Sequence, residues 1–159
     1  KQPFEACPDL LDTVTLAYRL LGGGEFIKPD VGCSLDVHSA IMAGIPVQAY
    51  LHLIDDIADS SCIEALIVFV GPSMATLRRR KKASNKSHLS IEQGNRLWQF
   101  AEALARATEV FGDQESAENW LISSALGLNN HCPIDLLATA PGVRAVELHL
   151  KRLDYGVYV

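Results

Sequence analysis

Along most of this chain apolar residues recur at three- and four-residue spacing, which predicts helices. Leu10, Val14, Ala17, Tyr18 and Leu21 form the first such stripe, and Gly22-Gly23-Gly24 ends it. After "FIKPDVGCS", Ser34 or Asp36 is placed to cap a short helix that Gly44 closes. Ile45-Pro46 restarts the chain, because proline is tolerated in a first helical turn. The next helix sets Ala49, Leu53 and Ile57 on one face, joined by Tyr50 and Ile54, with Gln48, His52, Asp55 and Asp59 opposite. Ser60 or Ser61 then caps an apolar segment through Val70. Its run "ALIVFV" suits a buried strand as well as a helix, and the helical context favours helix. Gly71-Pro72-Ser73 follows: Gly permits a left-handed turn, Pro forbids continuing the previous helix, and Ser73 caps a new one at Met74. In that helix Met74 and Leu77 face the core, while Ser73, Thr76, Arg79 and Arg80 fan across the exposed side.

From Leu89 onward the signals strengthen. Ser90-Ile91-Glu92-Gln93 is a capping-box pattern that starts a long helix at Ile91, with a stripe of Leu97, Trp98, Ala101, Leu104 and Ala105 reaching toward Phe111. Glu92 with Arg96 and Glu102 with Arg106 are (i, i+4) pairs expected on its wet face. Gly112 ends it. A short helix over Glu115 to Ile122 buries Trp120 and Leu121, "GLNNHCP" makes a loop, and His131 or Cys132 precedes Pro133 at another helical start through Leu137. The last helix runs from Gly142 to about Leu153 on Val143, Val146, Leu150 and Leu153, and "DYGVYV" follows it. The fold class is therefore all-α, with a helix, tight turn, helix unit before a smaller helical region.

Charge changes the picture more than composition does. A 159-residue chain with 48% hydrophobic residues supports a sizeable core. The net charge is −5, yet Arg78, Arg79, Arg80, Lys81, Lys82 and Lys86 stand in a stretch, Ala65 to Ile91, without one acidic residue. Everything else carries eight basic and nineteen acidic residues, a net −11. Such an asymmetry offers one face to a polyanion and repels it elsewhere. In a helix-turn-helix, Ser73 and Thr76 reach base edges and Arg78, Arg79, Arg80, Lys81 and Lys82 meet phosphates. Against this, basic residues at a helix end also oppose its dipole, and many charge runs are only hydrated.

Other chemistry is thinly represented. Cys7, Cys33, Cys62 and Cys132 are irregularly spaced with no C-x-x-C pair, which points to reduced, mostly packed thiols. The histidines make no HxxxH or HExxH pattern, so no metal site is expected. Adjacent Asp55 and Asp56 point about 100° apart on a helix and do not converge as an acid and base pair. His131-Cys132 has no orienting carboxylate nearby except Asp135, which is placed at a helix N-terminus. No catalysis and no cofactor are expected. No apolar run approaches the ~20 residues of a membrane span, and "KQPFEACPDLL" lacks signal-peptide character, so the expected location is cytoplasmic, without membrane association.

The stretch from Leu89 to Val159 resembles the C-terminal toxin-binding domain of the Xre/MbcA/ParS antitoxin family of bacterial RES-Xre toxin–antitoxin modules. The resemblance is carried by Glu109-Val110-Phe111-Gly112, Trp120-Leu121, Pro133-x-Asp135-Leu136-Leu137-x-Thr139, Gly142 and Gly156-Val157-Tyr158. Upstream, Gly44-Ile45-Pro46, Ser73-x-x-Thr76-Leu77-x-Arg79-Arg80 and Leu89-Ser90 are similar to that family's Xre-type helix-turn-helix. Three positions depart from the family pattern: Gln93-Gly94, Ser123-Ser124, and Pro72 before the recognition helix. The resemblance covers Ser34 to Val159 and implies 34–88 as the DNA-binding domain and 89–159 as the toxin-binding domain, while residues 1–33 read from their own pattern as an accessory helix and linker. The resemblance also implies a cognate RES-domain toxin that consumes NAD and operator DNA as a second ligand; a homodimer is expected because a single short recognition helix binds specifically only when two half-sites are engaged. Lys151, Arg152, Tyr155, Gly156, Val157, Tyr158 and Val159 would occlude the toxin's cleft. Their rings and fixed charges suit a pocket for an anionic dinucleotide. Two alternatives stand beside this: a tail that frays or folds back, and a dimeric helix-turn-helix regulator whose C-terminal part dimerises or senses a ligand.

Overall fold

Among the described residues the chain folds as α1 (Pro8–Leu20), α2 (Ser34–Ala43), α3 (Val47–Asp56), α4 (Ser60–Val70), α5 (Met74–Ala83), α6 (Ile91–Phe111), α7 (Gln114–Ile122), α8 (Pro133–Leu136) and α9 (Ala140–Asp154), with short 3-10 turns at Gly23–Glu25 and Leu126–Leu128. This is a computed structural model describing the backbone of residues 8–84 and 86–156 and the side chains of 13–84 and 86–156. The predicted all-α class holds: among those residues β pairing is limited to two isolated bridges, Pro46 with His88 and Ala125 with His131.

The long amphipathic helix organises the rest. Ser90 Oγ accepts from the Gln93 N–H at 3.2 Å, and Gln93 Oε1 accepts from the Ser90 N–H at 3.1 Å, so the capping box closes as its sequence requires. The helix buries Leu97, Trp98, Phe100, Ala101, Leu104 and Ala107. Around it pack α1, α7, α9, α4 and α2, whereas α5 lies out against α3. Val14, Ala17 and Leu21 of the first segment, Leu53 and Leu66 of the second, and Leu104, Leu121 and Leu150 of the third belong to one buried cluster. Leu10 is in α1, and its side chain lies outside the described residues.

The ambiguous "ALIVFV" run is helical. Leu66, Phe69 and Val70 are buried while Val68 is 82% exposed, a pattern of one helical face and not of alternation. Caps differ from expectation by a residue or so. Asp59, not Ser60 or Ser61, caps α4 by accepting from the Ser61 N–H at 2.7 Å. Cys33 is the N-cap of α2, and Asp36 reaches back to the N–H groups of Gly32 and Cys33 at 3.0 and 3.1 Å. Those bonds hold the Asp36 carboxyl below its usual range. Pro46 is the N-cap of α3 and not its first residue. Ser73 caps α5 as predicted, and Gly112 ends α6 in the left-handed region at φ 88°.

Among the cysteines, Cys62 is buried and its thiol is pushed up to about 12, chiefly by burial and further by Glu118 and Asp59. Cys132 is half-buried, with Sγ 3.4 Å from the Ile122 carbonyl oxygen, while Cys33 is exposed, contrary to the expectation of mostly packed thiols. Cys7 lies outside the described residues.

Candidate functional site

Two surfaces collect the residues singled out by the sequence. On the first, α4 and α5 meet across Gly71-Pro72-Ser73 with a 70° change of axis direction. Gly71 has φ 115°, a conformation closed to most L residues, and Pro72 is buried at the corner. Leu77 is fully buried, so the opposite side of α5 is committed to solvent. Ser73, Arg78, Arg79, Lys81 and Lys82 are exposed, while Thr76 and Arg80 are half-buried. Part of the helix-cap chemistry consumes the two polar residues expected at base edges: Ser73 Oγ accepts from the Thr76 N–H and lies 3.0 Å from the Thr76 hydroxyl. Among the described residues none of the five α5 cations makes an ion pair.

The second surface is the end of α9. Lys151, Arg152, Tyr155 and Gly156 are exposed there, Tyr155 at 77%. Asp154, between Arg152 and Tyr155, is bonded by Arg106 of α6 at 3.0 Å, and the same guanidinium holds Glu109 at 3.1 Å. This pairing replaces the expected Glu102–Arg106 pair, while the Glu92–Arg96 pair forms at 3.0 Å. The chain therefore leaves α9 from a point tied to the central helix. Val157, Tyr158 and Val159 lie outside the described residues.

The motif residues between these surfaces are packing devices. Gly142 sits where α9 starts against the carbonyl of Leu136, with no room for a Cβ, and Thr139 caps the helix by accepting from the Gly142 N–H at 3.1 Å. Trp120 is half-buried, with its ring 5.6 Å from Phe111 and 6.1 Å from His149, on which it stacks within 7°. Burial first, and the Arg152 charge second, push the His149 imidazole below its usual range. His131 Nδ1 and Cys132 Sγ are directed at the backbone carbonyl oxygens of Leu128 and Ile122. Asp55 and Asp56 are exposed.

Two carboxylates escaped the sequence reading. Glu118 is 1% exposed and accepts from the Ala58 N–H, the Asp59 N–H at 3.0 Å and Gln114 Nε2 at 2.8 Å, joining α7 to the start of α4. Its position on α7 gave only a helical-face signal, since the N–H groups it satisfies are some sixty residues away in sequence. Glu102, expected on a wet face, instead accepts from Trp98 Nε1 at 2.6 Å beside a groove of about 160 Å³ between α1, α6 and α9. Burial raises its carboxyl, the Trp98 bond opposes this, and nearby Glu147 adds to the rise. A raised folded value means that Glu102 supports the fold fully below its ordinary 4.5 and loses that support as pH climbs through the folded value. Glu102→Gln keeps an acceptor for Trp98 without the charge. Its melting temperature is expected to match or exceed that of the parent at pH 7, and the difference should close when melts are repeated near pH 4.

Residues 106–156, about a third of the chain, match the family model of the antitoxin Xre/MbcA/ParS C-terminal toxin-binding domain. The match starts inside α6, at Arg106. No curated protein matches the chain. Among the described residues no cluster of three or more metal-ligating side chains occurs, and no single helix is long and apolar enough to cross a membrane.

Proposed function

We propose that this protein is an antitoxin that binds a cognate NAD-consuming RES-domain toxin and blocks its cleft with the segment from Lys151 to Val159. The family match over residues 106–156 carries this reading, because the matched model describes a toxin-binding domain and the matched segment includes α9. Exposed Tyr155 beside Lys151 and Arg152 supplies a ring and two cations suited to a site for an anionic dinucleotide. The Arg106–Asp154 bond aims that segment and limits the entropy lost on insertion. Truncation after Asp154 is expected to weaken toxin binding by about tenfold or more. In cells co-expressing the toxin it should let NAD fall. Unchanged affinity together with preserved cellular NAD would remove the occlusion model.

The same protein, as a homodimer in the bacterial cytoplasm, acts as a repressor of its own operon through α4, the Gly71–Ser73 turn and α5. What supports this half is the set of five α5 cations that make no ion pair among the described residues, on a body that is otherwise acidic. Two half-sites are needed because one short helix with a handful of charges binds too weakly for specificity. In a shift assay on the protein's own promoter, binding should fall steeply with salt. Arg79→Ala and Arg80→Ala should each lower the salt slope by about one. A promoter complex insensitive to salt would end the repressor reading and leave the antitoxin reading standing. A regulator without a toxin partner is the competing reading, and co-purification with the product of the adjacent reading frame separates the two.

A further inference from the structure

The outer face of α9 holds a feature of which occlusion by the tail uses only Arg152. Arg144, Leu148 and Arg152 recur at four-residue spacing, so they form one stripe. All three are exposed, Leu148 at 50%, and among the described residues neither arginine makes an ion pair. Beside the stripe lies the loop 125–131, closed by the Ala125–His131 bridge and by the Asn130 N–H donating to the Ala125 carbonyl at 2.9 Å. The loop is seated on α9 because the His149 ring occupies the space that a side chain at position 127 would need. Leu126 on this closed loop is 79% exposed, held out instead of folded in. A cavity of about 260 Å³ separates loop and helix, bordered by His131, Leu148, His149 and Arg152 and by no carboxylate. On a chain of net charge −5, a preformed cavity bordered by Arg152 and Leu148 and by no carboxylate, with Arg144 and Leu126 exposed nearby, has the chemistry of a partner surface.

We propose that the Arg144–Leu148–Arg152 stripe, with Leu126 and the cavity between them, is a second docking surface for the toxin, one that receives an apolar side chain flanked by carboxylates. This rests on the antitoxin reading, and it lies within the matched segment 106–156. The partner's apolar side chain enters beside Leu148 and Leu126, and its carboxylates meet Arg144 and Arg152 in bidentate pairs. This surface holds the body of the antitoxin on the toxin, whereas the tail fills the cleft.

The test titrates the toxin calorimetrically with the full chain, with Arg144→Glu/Leu148→Ser, with Leu126→Ser, and with the chain truncated after Asp154. Because these side chains are exposed, the first two variants should melt with the parent. They should bind the toxin about tenfold more weakly or worse, and the double variant should show a shallower dependence of affinity on salt. Affinities within twofold of the parent for both would overturn the second surface, whatever the truncated chain does. Loss of affinity in the truncated chain alone would confine the interface to the tail. Failure of the parent chain to bind would instead remove the antitoxin reading itself.

Discussion

Gly142→Ala is expected to destabilise the protein by about 2–4 kcal/mol, lowering its melting temperature by roughly 5–15 °C. A methyl group at this position would overlap the Leu136 carbonyl oxygen and stand 2.7 Å from its carbon. Neither side yields cheaply. Leu137 beyond that carbonyl is buried, and Thr139 and Pro141 fix how α9 begins. Alanine's better helix propensity returns at most about 1 kcal/mol, too little to offset backbone overlap. Thermal melts followed by circular dichroism measure the effect. A variant melting within a degree or two of the parent would show that α8 and α9 can separate at no cost. Toxin binding should fall with it, because displacing α9 moves Arg144, Leu148, Arg152 and Tyr155 together.

Glu118→Ala should be nearly as damaging, at about 2–4 kcal/mol. The carboxylate is buried and is the acceptor for the Ala58 and Asp59 N–H groups at the start of α4. Alanine would leave those donors and Gln114 Nε2 without it in a place that water reaches poorly. It would also remove a negative charge from a helix N-terminus. Glu118→Gln keeps one oxygen, and its loss in a urea titration is expected to be about half as large. Equal losses for both variants would mean that packing, and not hydrogen bonding, accounts for the residue.

How far the sequence could be read follows from the range of each interaction. The capping box at Ser90, the Ser73 cap and the Gly71-Pro72 break were legible because each is local and satisfies backbone groups within four residues. Cys33 and Asp59 were missed as caps for a local reason too: Ser34, Ser60 and Ser61 are equally good candidates, and only geometry selects among neighbours. The apolar run of α4 was ambiguous until its neighbours were known, since burial by α6 and α7 decides which residue, Val68, is left outside. Glu118, Glu102 and the Arg106–Asp154 pair were beyond reach for a different reason. Their roles depend on partners or burial supplied by elements far along the chain, and Arg106 had an equally plausible partner four residues away. Of the candidate site, the basic helix and the α9 end were legible as charge and composition, whereas the Arg144–Leu148–Arg152 stripe needed the loop at Leu126 to become a surface.

Arg96 of α6 donates to the Phe69 carbonyl oxygen at 2.9 Å and lies 5.6 Å over the Phe69 ring, while Glu118 of α7 holds the opposite end of α4. Only three residues then separate α4 from α5. The cations of α5 thus have no slack of their own. In the proposed dimer, the distance between the two basic helices would be a property of how the bodies meet, so a change at the contact between subunits would be read out as a change in the spacing of the DNA sites that fit.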